Sequence, residues 1–155
     1  MEKKSFTLKS DKPLNALITN CGICEAYDPK VTMQSPRVEN FSALWDTGAT
    51  HSVINKLAAD KLGLIPIGQA LVYHANGECI VNKYLVNIFL PNGIMVYTVP
   101  VTEGKLNGVD MLIGMDIINL GDFSITHKDN GTTFSFQRPA THNFDFVEEN
   151  KSENK

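Results

Sequence analysis

The 155 residues suffice for one domain with a genuine core, and 43% hydrophobic against 20% charged residues is an ordinary soluble composition. A net charge of −3 argues against the basic face that nucleic acid or an anionic membrane would require, and no apolar run reaches the length of a membrane span. No apolar h-region follows Met1-Glu2-Lys3-Lys4, so no secretory signal is visible and a cytoplasmic location is expected. Cys21, Cys24 and Cys79 make an odd count with no disulfide framework. Cys21-Gly22-Ile23-Cys24 has redox or zinc spacing, yet it lies in a strand-like run that would point the two thiols to opposite faces, and no second Cys/His pair stands at a finger-like distance. Both are read as small strand residues. No metal and no cofactor are expected.

In chain order, residues 1–13 read as a polar, lysine-rich N-terminal extension, mobile or added to a sheet edge. The folded domain is expected over 14–139 and a polar, flexible tail over 140–155. Leu14 to Tyr27 is apolar and β-prone and stops at Asp28-Pro29; Val31 to Met33 is expected to continue as a short strand. A loop over Ser35–Asn40 then delivers the chain to the apolar strand Phe41–Trp45. After Val53-Ile54, a short helix is predicted with Asn55 as N-cap, Leu57, Ala58 and Leu62 on its apolar face and Gly63 as its stop.

Leu71-Val72-Tyr73 and Cys79-Ile80-Val81 flank Ala75-Asn76-Gly77, and Asn-Gly between β-prone arms is a strong hairpin signal. Tyr84–Leu90 and Ile94–Val101 form a second hairpin turning at Pro91-Asn92-Gly93. Met111-Leu112-Ile113 reads as a buried strand ended by Gly114, with a short helix over Met115–Leu120 in which Asp116 would cap or flank the start, a structural task. Phe123–Thr126 and Thr133–Gln137 are β-prone, and Pro139 ends the fold.

One stretch organises the rest. In Phe41-Ser42-Ala43-Leu44-Trp45-Asp46-Thr47-Gly48-Ala49-Thr50 an apolar strand runs into a carboxylate, a hydroxyl and a glycine, and Ser52-Val53-Ile54 leaves as a second strand. A carboxylate at the end of buried strands needs compensating hydrogen bonds or a shared proton. Gly48 permits close backbone approach, and Thr47 can brace the loop through its hydroxyl. A plain β-turn beginning with Asp is the competing reading of this stretch taken alone.

Leu44 to Thr50 resembles the active-site loop of the retropepsin-like aspartic proteases. Val109-Asp110-Met111-Leu112-Ile113-Gly114-Met115-Asp116-Ile117-Ile118 resembles the apolar-strand, glycine and short-helix element of that family, and Tyr73-His74-Ala75-Asn76-Gly77-Glu78 stands where its flap belongs. The resemblance covers Phe41 to about Ile125. It implies an all-β, single-lobe, closed β-barrel with a flap hairpin and one or two short helices. By the same resemblance Asp46 is the catalytic residue, supported in its loop by Thr47, Gly48, Ala49 and Thr50. Tyr73, His74, Ala75, Asn76 and Gly77 would form the substrate-binding flap, and Leu112, Ile113, Gly114 and Asp116 the structural second motif. Val53, Tyr73 and Ile113 are candidate walls of apolar subsites.

Aspartic-protease chemistry needs two carboxylates in contact, one ionised and one protonated. The chain offers one apolar-Asp-Thr-Gly; Asp129-Asn130-Gly131 lies in a polar turn, and Asp110 and Asp116 lack the loop. The resemblance therefore implies a homodimer with Asp46 from each copy on the two-fold axis, Thr47 beside it, and a polypeptide as substrate. Retroviral members carry an acid where Thr50 stands and an arginine where Met115 stands; both charges are missing here, so neither is stranded, and a cellular or retroelement-type branch is implied. Ala49 cannot donate the hydrogen bond a serine would, so a weakly acidic to neutral operating pH is expected. His51, His74, His127 and His142 are scattered and read as packing or surface residues. The alternatives to an endopeptidase are a non-catalytic dimerisation or peptide-binding module of this fold, and a self-processing domain.

Overall fold

The computed structural model of the chain describes residues 2–32, 34–74 and 77–153. The chain order is β1 (Lys4–Ser10), β2 (Ile18–Glu25), β3 (Glu39–Trp45), β4 (Val53–Asn55), α1 (Lys56–Leu62), β5 (Gly68–His74) and β6 (Gly77–Leu90). There follow β7 (Ile94–Gly104), β8 (Met111–Ile113), α2 (Met115–Ile118), β9 (Asp122–Thr126), β10 (Thr132–Arg138) and α3 (Phe146–Glu153). The larger sheet runs β2-β3-β8-β4-β7-β6-β5, and an additional β2–β6 pairing closes its first six strands into a barrel, with β5 left outside as the outer arm of a hairpin. The architecture is the expected all-β, single-lobe closed barrel with a few short helices.

Alternation fills the barrel. Along β6, Tyr84, Val86 and Ile88 point inward and are buried, as are Val96, Val99 and Val101 of β7 and Phe41, Ala43 and Trp45 of β3. A smaller sheet, β1-β10-β9, packs across one end. Its Phe134 and Phe136 are fully buried, worth roughly 1.5–3 kcal/mol each by area. They surround Trp45 with ring centroids at 5.2 and 5.0 Å, joined by Phe6 at 5.8 Å and Phe123 at 6.0 Å. The indole Nε1–H donates to Thr19 Oγ1 at 2.9 Å, so this bulky residue is fixed on both its apolar and its polar side. Trp45 is the residue before Asp46. The aromatic cluster is the footing of the loop that follows.

Several elements differ from the sequence expectation. Lys4–Ser10 takes the sheet-edge alternative of its reading, an edge strand paired along its whole length with β10, but it is not wholly polar in its packing: Phe6 and Leu8 turn toward the core while Ser5, Thr7 and Lys9 face out. Only two apolar residues, Phe6 and Leu8, stand between Lys4 and Lys9, too few to show that amphipathic pattern in the sequence. Val31 and Thr32 close a turn on the Asp28 carbonyl rather than a strand, and Met33 lies outside the described residues. In α1 the buried face is Ala58 and Ala59, with Leu62 against the core, while Leu57 is 78% exposed. The caps are as expected: Ala58 N–H donates to Asn55 Oδ1 at 2.7 Å, and Gly63 takes the left-handed conformation with φ of 64°. The two hairpins share one strand, since β6 runs unbroken from Gly77 to Leu90 and carries the flap arm into the barrel wall. In the tail, Asp145 Oδ1 accepts from Val147 N at 3.0 Å and Glu148 N at 3.2 Å, and α3 follows with Phe144, Phe146 and Val147 exposed.

Candidate active site

Strand β8 is threaded between β3 and β4, parallel to the first (Trp45↔Ile113) and antiparallel to the second (Val53↔Leu112). The segment joining β3 to β4, residues 46–52, must therefore pass over the end of β8. Asp46 sits at the start of that crossing. Its N–H donates to Ile113 O at 2.9 Å, which fixes its backbone to β8. Its carboxylate Oδ1 accepts from Gly48 N at 2.8 Å, and its carbonyl accepts from Ala49 N at 3.2 Å. The carboxylate is half-buried, held by one backbone amide, and borders a cleft.

The loop lies directly on Gly114. A Cβ there would come within 2.7 Å of His51 C, 2.8 Å of His51 O and 2.9 Å of Ala49 O, all backbone atoms that cannot swing away. Below it, Met115 N donates to Ala49 O at 2.8 Å. A buried serine completes the crossing: Ser52 Oγ donates to Asp116 Oδ1 at 2.8 Å and accepts from Gly114 N at 3.1 Å, while Ser52 N donates to Asp116 Oδ2 at 3.0 Å. Of the two places expected for Asp116, capping or flanking the start of α2, it takes the second. Gly114 holds the N-cap position, and the Asp116 carboxylate is turned toward the loop above, its only amide within α2 being Ile117 N at 3.0 Å.

The other end of β8 repeats this device. Asp110 Oδ2 accepts from Ser42 N and Ser42 Oγ, both at 2.9 Å, and Asn55 Nδ2 reaches Asp110 Oδ1 at 3.4 Å. Ser42, Ser52 and Asp110 are the site residues that sequence reasoning missed. The available signal was a serine on each strand flanking the motif and an aspartate on each side of Met111–Ile113.

Thr47, Gly48 and Thr50 are exposed and Ala49 is half-buried. Gly48, Ala49, Thr50, His51 and Val53 form the floor of a cleft of about 660 Å³, roofed by Ala70, Leu71, Val72 and Tyr73 of β5 and closed at one end by Lys83, Pro100 and Thr102. The structure thus brings the Asp46 loop and the flap arm together across one cleft. Tyr73 is 72% exposed above it, and Gly77 closes the described end of the hairpin by pairing with His74. Ala75 and Asn76, the expected flap tip, lie outside the described residues. Val53 lines the cleft, but Ile113 is fully buried, because strand alternation turns it with Met111 to the core face of β8. Leu112 is half-buried on the same strand. A second cleft, of about 390 Å³, opens on the other side of Asp46 between Leu14–Leu17, Leu44, Trp45, Ile125 and His127.

Among the described residues no cluster of three or more His, Cys, Asp or Glu side chains could hold a metal ion. Cys21 and Cys24 are both buried, and burial pushes the Cys21 thiol up to about 12 and the Cys24 thiol upward as well. No described helix is long and apolar enough to cross a membrane.

A barrel with a threaded strand, a glycine beneath an aspartate loop and a hairpin arm across the cleft defines a single-lobe acid protease fold. The aspartyl protease family profile matches residues 31–117, and the chain belongs to that family. In structure it is similar to a retropepsin-like aspartic protease from Rickettsia conorii, with 13% identity over 88% of this chain and 95% of that one and a TM-score of 0.52. It is also similar to the retroviral protease-like domain of Ddi1 from Leishmania major, with 18% identity over 80% of this chain and 95% of that one and a TM-score of 0.49. No curated protein sequence matches the chain.

Proposed function

We propose that the chain is an aspartic endopeptidase that works as a homodimer, one Asp46 from each copy forming the catalytic pair. The observation that carries this reading is Asp46 itself: a carboxylate anchored on β8, held by Gly48 N, and bordering an open cleft on the side away from the flap cleft. Within a pair, like charges in contact cannot both ionise, so the two carboxylates share one proton. The ionised carboxylate takes a proton from water as its oxygen adds to the peptide carbonyl carbon. The protonated partner hydrogen-bonds the carbonyl oxygen as it becomes negative. A proton then passes to the amide nitrogen and the C–N bond breaks, leaving the pair ready for another turnover.

Two features support a second copy as the partner. The smaller sheet ends in β9, whose outer edge is unpaired among the described residues and carries Ser124, Ile125 and Thr126 with no charge in that run, Ile125 being 40% exposed. Such an edge is a ready template for strand pairing, whereas the opposite edge, β1, is guarded by Lys4 and Lys9. The β9 edge also adjoins Asp46 through the 390 Å³ cleft, so a copy docked there lies next to the carboxylate. The substrate is read as an extended polypeptide, because β5 pairs only with β6 among the described residues and offers a free strand edge over the larger cleft.

The test pairs activity with mass. Wild type and Asp46→Asn are incubated with an unstructured protein mixture across pH, with solution mass measured alongside. Cleavage by a dimeric wild type that is absent in the variant is the expected result. A stable monomer, or cleavage that survives the substitution, overturns the shared-aspartate reading.

A further inference from the structure

We propose that Lys83 selects an acidic residue of the polypeptide substrate, in a subsite at the base of the flap; this rests on the endopeptidase reading above. Lys83 stands where the flap hairpin joins the barrel, paired with Gly68 on one side and Thr102 on the other. It lines the 660 Å³ cleft with Ala70, Pro100 and Thr102, and the described residues of that lining include no Asp or Glu and no other Lys or Arg. Gly68 opposite it presents no side chain, and a Cβ there would touch nothing within 4 Å, so the space beside the ammonium is open.

The nearest candidate counter-ion in the fold is otherwise committed. Glu103 follows Thr102, and strand alternation turns it to the opposite face, where its Oε2 accepts from Tyr84 Oη at 2.6 Å and Asn82 Nδ2 at 3.3 Å. Among the described residues no carboxylate pairs with Lys83. A half-buried lysine in the cleft lining, with no carboxylate paired to it among the described residues, is complementary to an Asp or Glu side chain supplied by the bound peptide. The expected discrimination between Glu and the isosteric Gln is about 3- to 10-fold, the scale of a partly screened ion pair, and it shrinks as salt rises.

The experiment uses matched peptides that carry Glu or Gln at one position at a time along the scissile segment. Cleavage by the wild type, Lys83→Met, Lys83→Arg and Lys83→Glu is read as the Glu/Gln ratio of kcat/KM at low and high salt, a ratio that general loss of fold leaves unaffected. The expected result is a Glu preference at one subsite that Lys83→Arg retains, Lys83→Met abolishes and Lys83→Glu reverses into a preference for Gln. A wild type that cleaves with no acidic preference, or a preference that persists in Lys83→Met, overturns the assignment while leaving the endopeptidase reading intact. If the wild type cuts none of the peptides, the endopeptidase reading fails on its own, and fluorescence anisotropy of the same labelled pairs on the wild type decides the subsite: equal affinity for Glu and Gln peptides overturns it.

Discussion

Asp116 and Ser52, 64 residues apart in sequence, are joined by two hydrogen bonds of 2.8 and 3.0 Å that tie α2 to the far end of the Asp46 loop. The pair works as a latch, since the same Ser52 hydroxyl also accepts from Gly114 N at 3.1 Å. Removing the hydroxyl leaves the buried Gly114 amide without its acceptor and takes one of two donors from Asp116 Oδ1, which keeps Ile117 N at 3.0 Å. Ser52→Ala is therefore expected to cost about 1–3 kcal/mol of stability, read by denaturant unfolding. Asp116→Asn keeps part of the latch and is expected to lower activity while leaving cleavage above the background of Asp46→Asn. An Asp116→Asn variant as inert as Asp46→Asn, yet equally stable to the wild type, would give Asp116 a chemical role that its geometry does not support.

Gly114 is required by space and not by backbone conformation, its φ of −92° being open to any residue. The obstacle is the loop lying on it, with three backbone atoms within 2.9 Å of where a Cβ would stand. Gly114→Ala must therefore lift residues 49–51, at a cost of about 1–3 kcal/mol for an overpacked site. Because Asp46 N is bonded to the adjacent Ile113 O, the shift is transmitted to the carboxylate. Loss of cleavage with a folded β spectrum is the expected outcome. Wild-type activity in Gly114→Ala would mean that the loop has slack the structure does not display.

The parts of this architecture that were legible in the sequence are those set by local chemistry. The apolar-Asp-Thr-Gly stretch, the Asn55 and Gly63 caps and the Pro91–Gly93 turn each depend on residues within a few positions of one another. What escaped depends on long-range pairing. Phe6 and Leu8 show as core residues only once β10 lies beside them, because the lysines and hydroxyl residues around them make β1 look like solvent-facing chain. Ser42 and Ser52 are unremarkable hydroxyls until Asp110 and Asp116 arrive from 68 and 64 residues away. Leu57 misled for the opposite reason: helical periodicity admits it to the apolar face, yet the barrel wall meets the helix at Ala58 and Ala59 and leaves it outside. Ile113 fails as a subsite wall for a related reason: strand alternation puts it, with Met111, on the core face of β8 and leaves Leu112 on the other.

The Cys21-Gly22-Ile23-Cys24 spacing makes a chemical prediction of its own. Burial raises the Cys21 thiol to about 12, with the Asp110 charge adding to the effect, and burial also raises Cys24. Cys79, on the flap arm, is partly exposed. In the native protein at pH 8, iodoacetamide is expected to label Cys79 at least ten times faster than Cys21, with all three equivalent in denaturant. Peptide mapping by mass spectrometry reads the result, and rapid native labelling of Cys21 or a Cys21–Cys24 disulfide would contradict the inert-core assignment.

Asp122, at the start of β9, anchors the tail by accepting from Thr141 N at 2.9 Å and from His142 N at 3.1 Å, with His142 Nδ1 at 2.8 Å and Gln137 Nε2 at 3.0 Å. The Thr141 amide is the main reason its carboxyl falls from an ordinary 3.8 to about 2, with the His142 side chain and amide adding to it. The folded value lies below the unfolded one, so the unfolded chain takes up the proton more readily. The stabilisation is then complete above 3.8 and is lost as pH falls through 2. Hydrogen exchange at Thr141 and His142 should show protection that holds from neutral pH to about 4 and decays below it. In Asp122→Asn the same amides should exchange freely throughout, with the barrel strands unchanged. Protection in the variant equal to that in the wild type would mean that the tail is held by something other than this carboxylate.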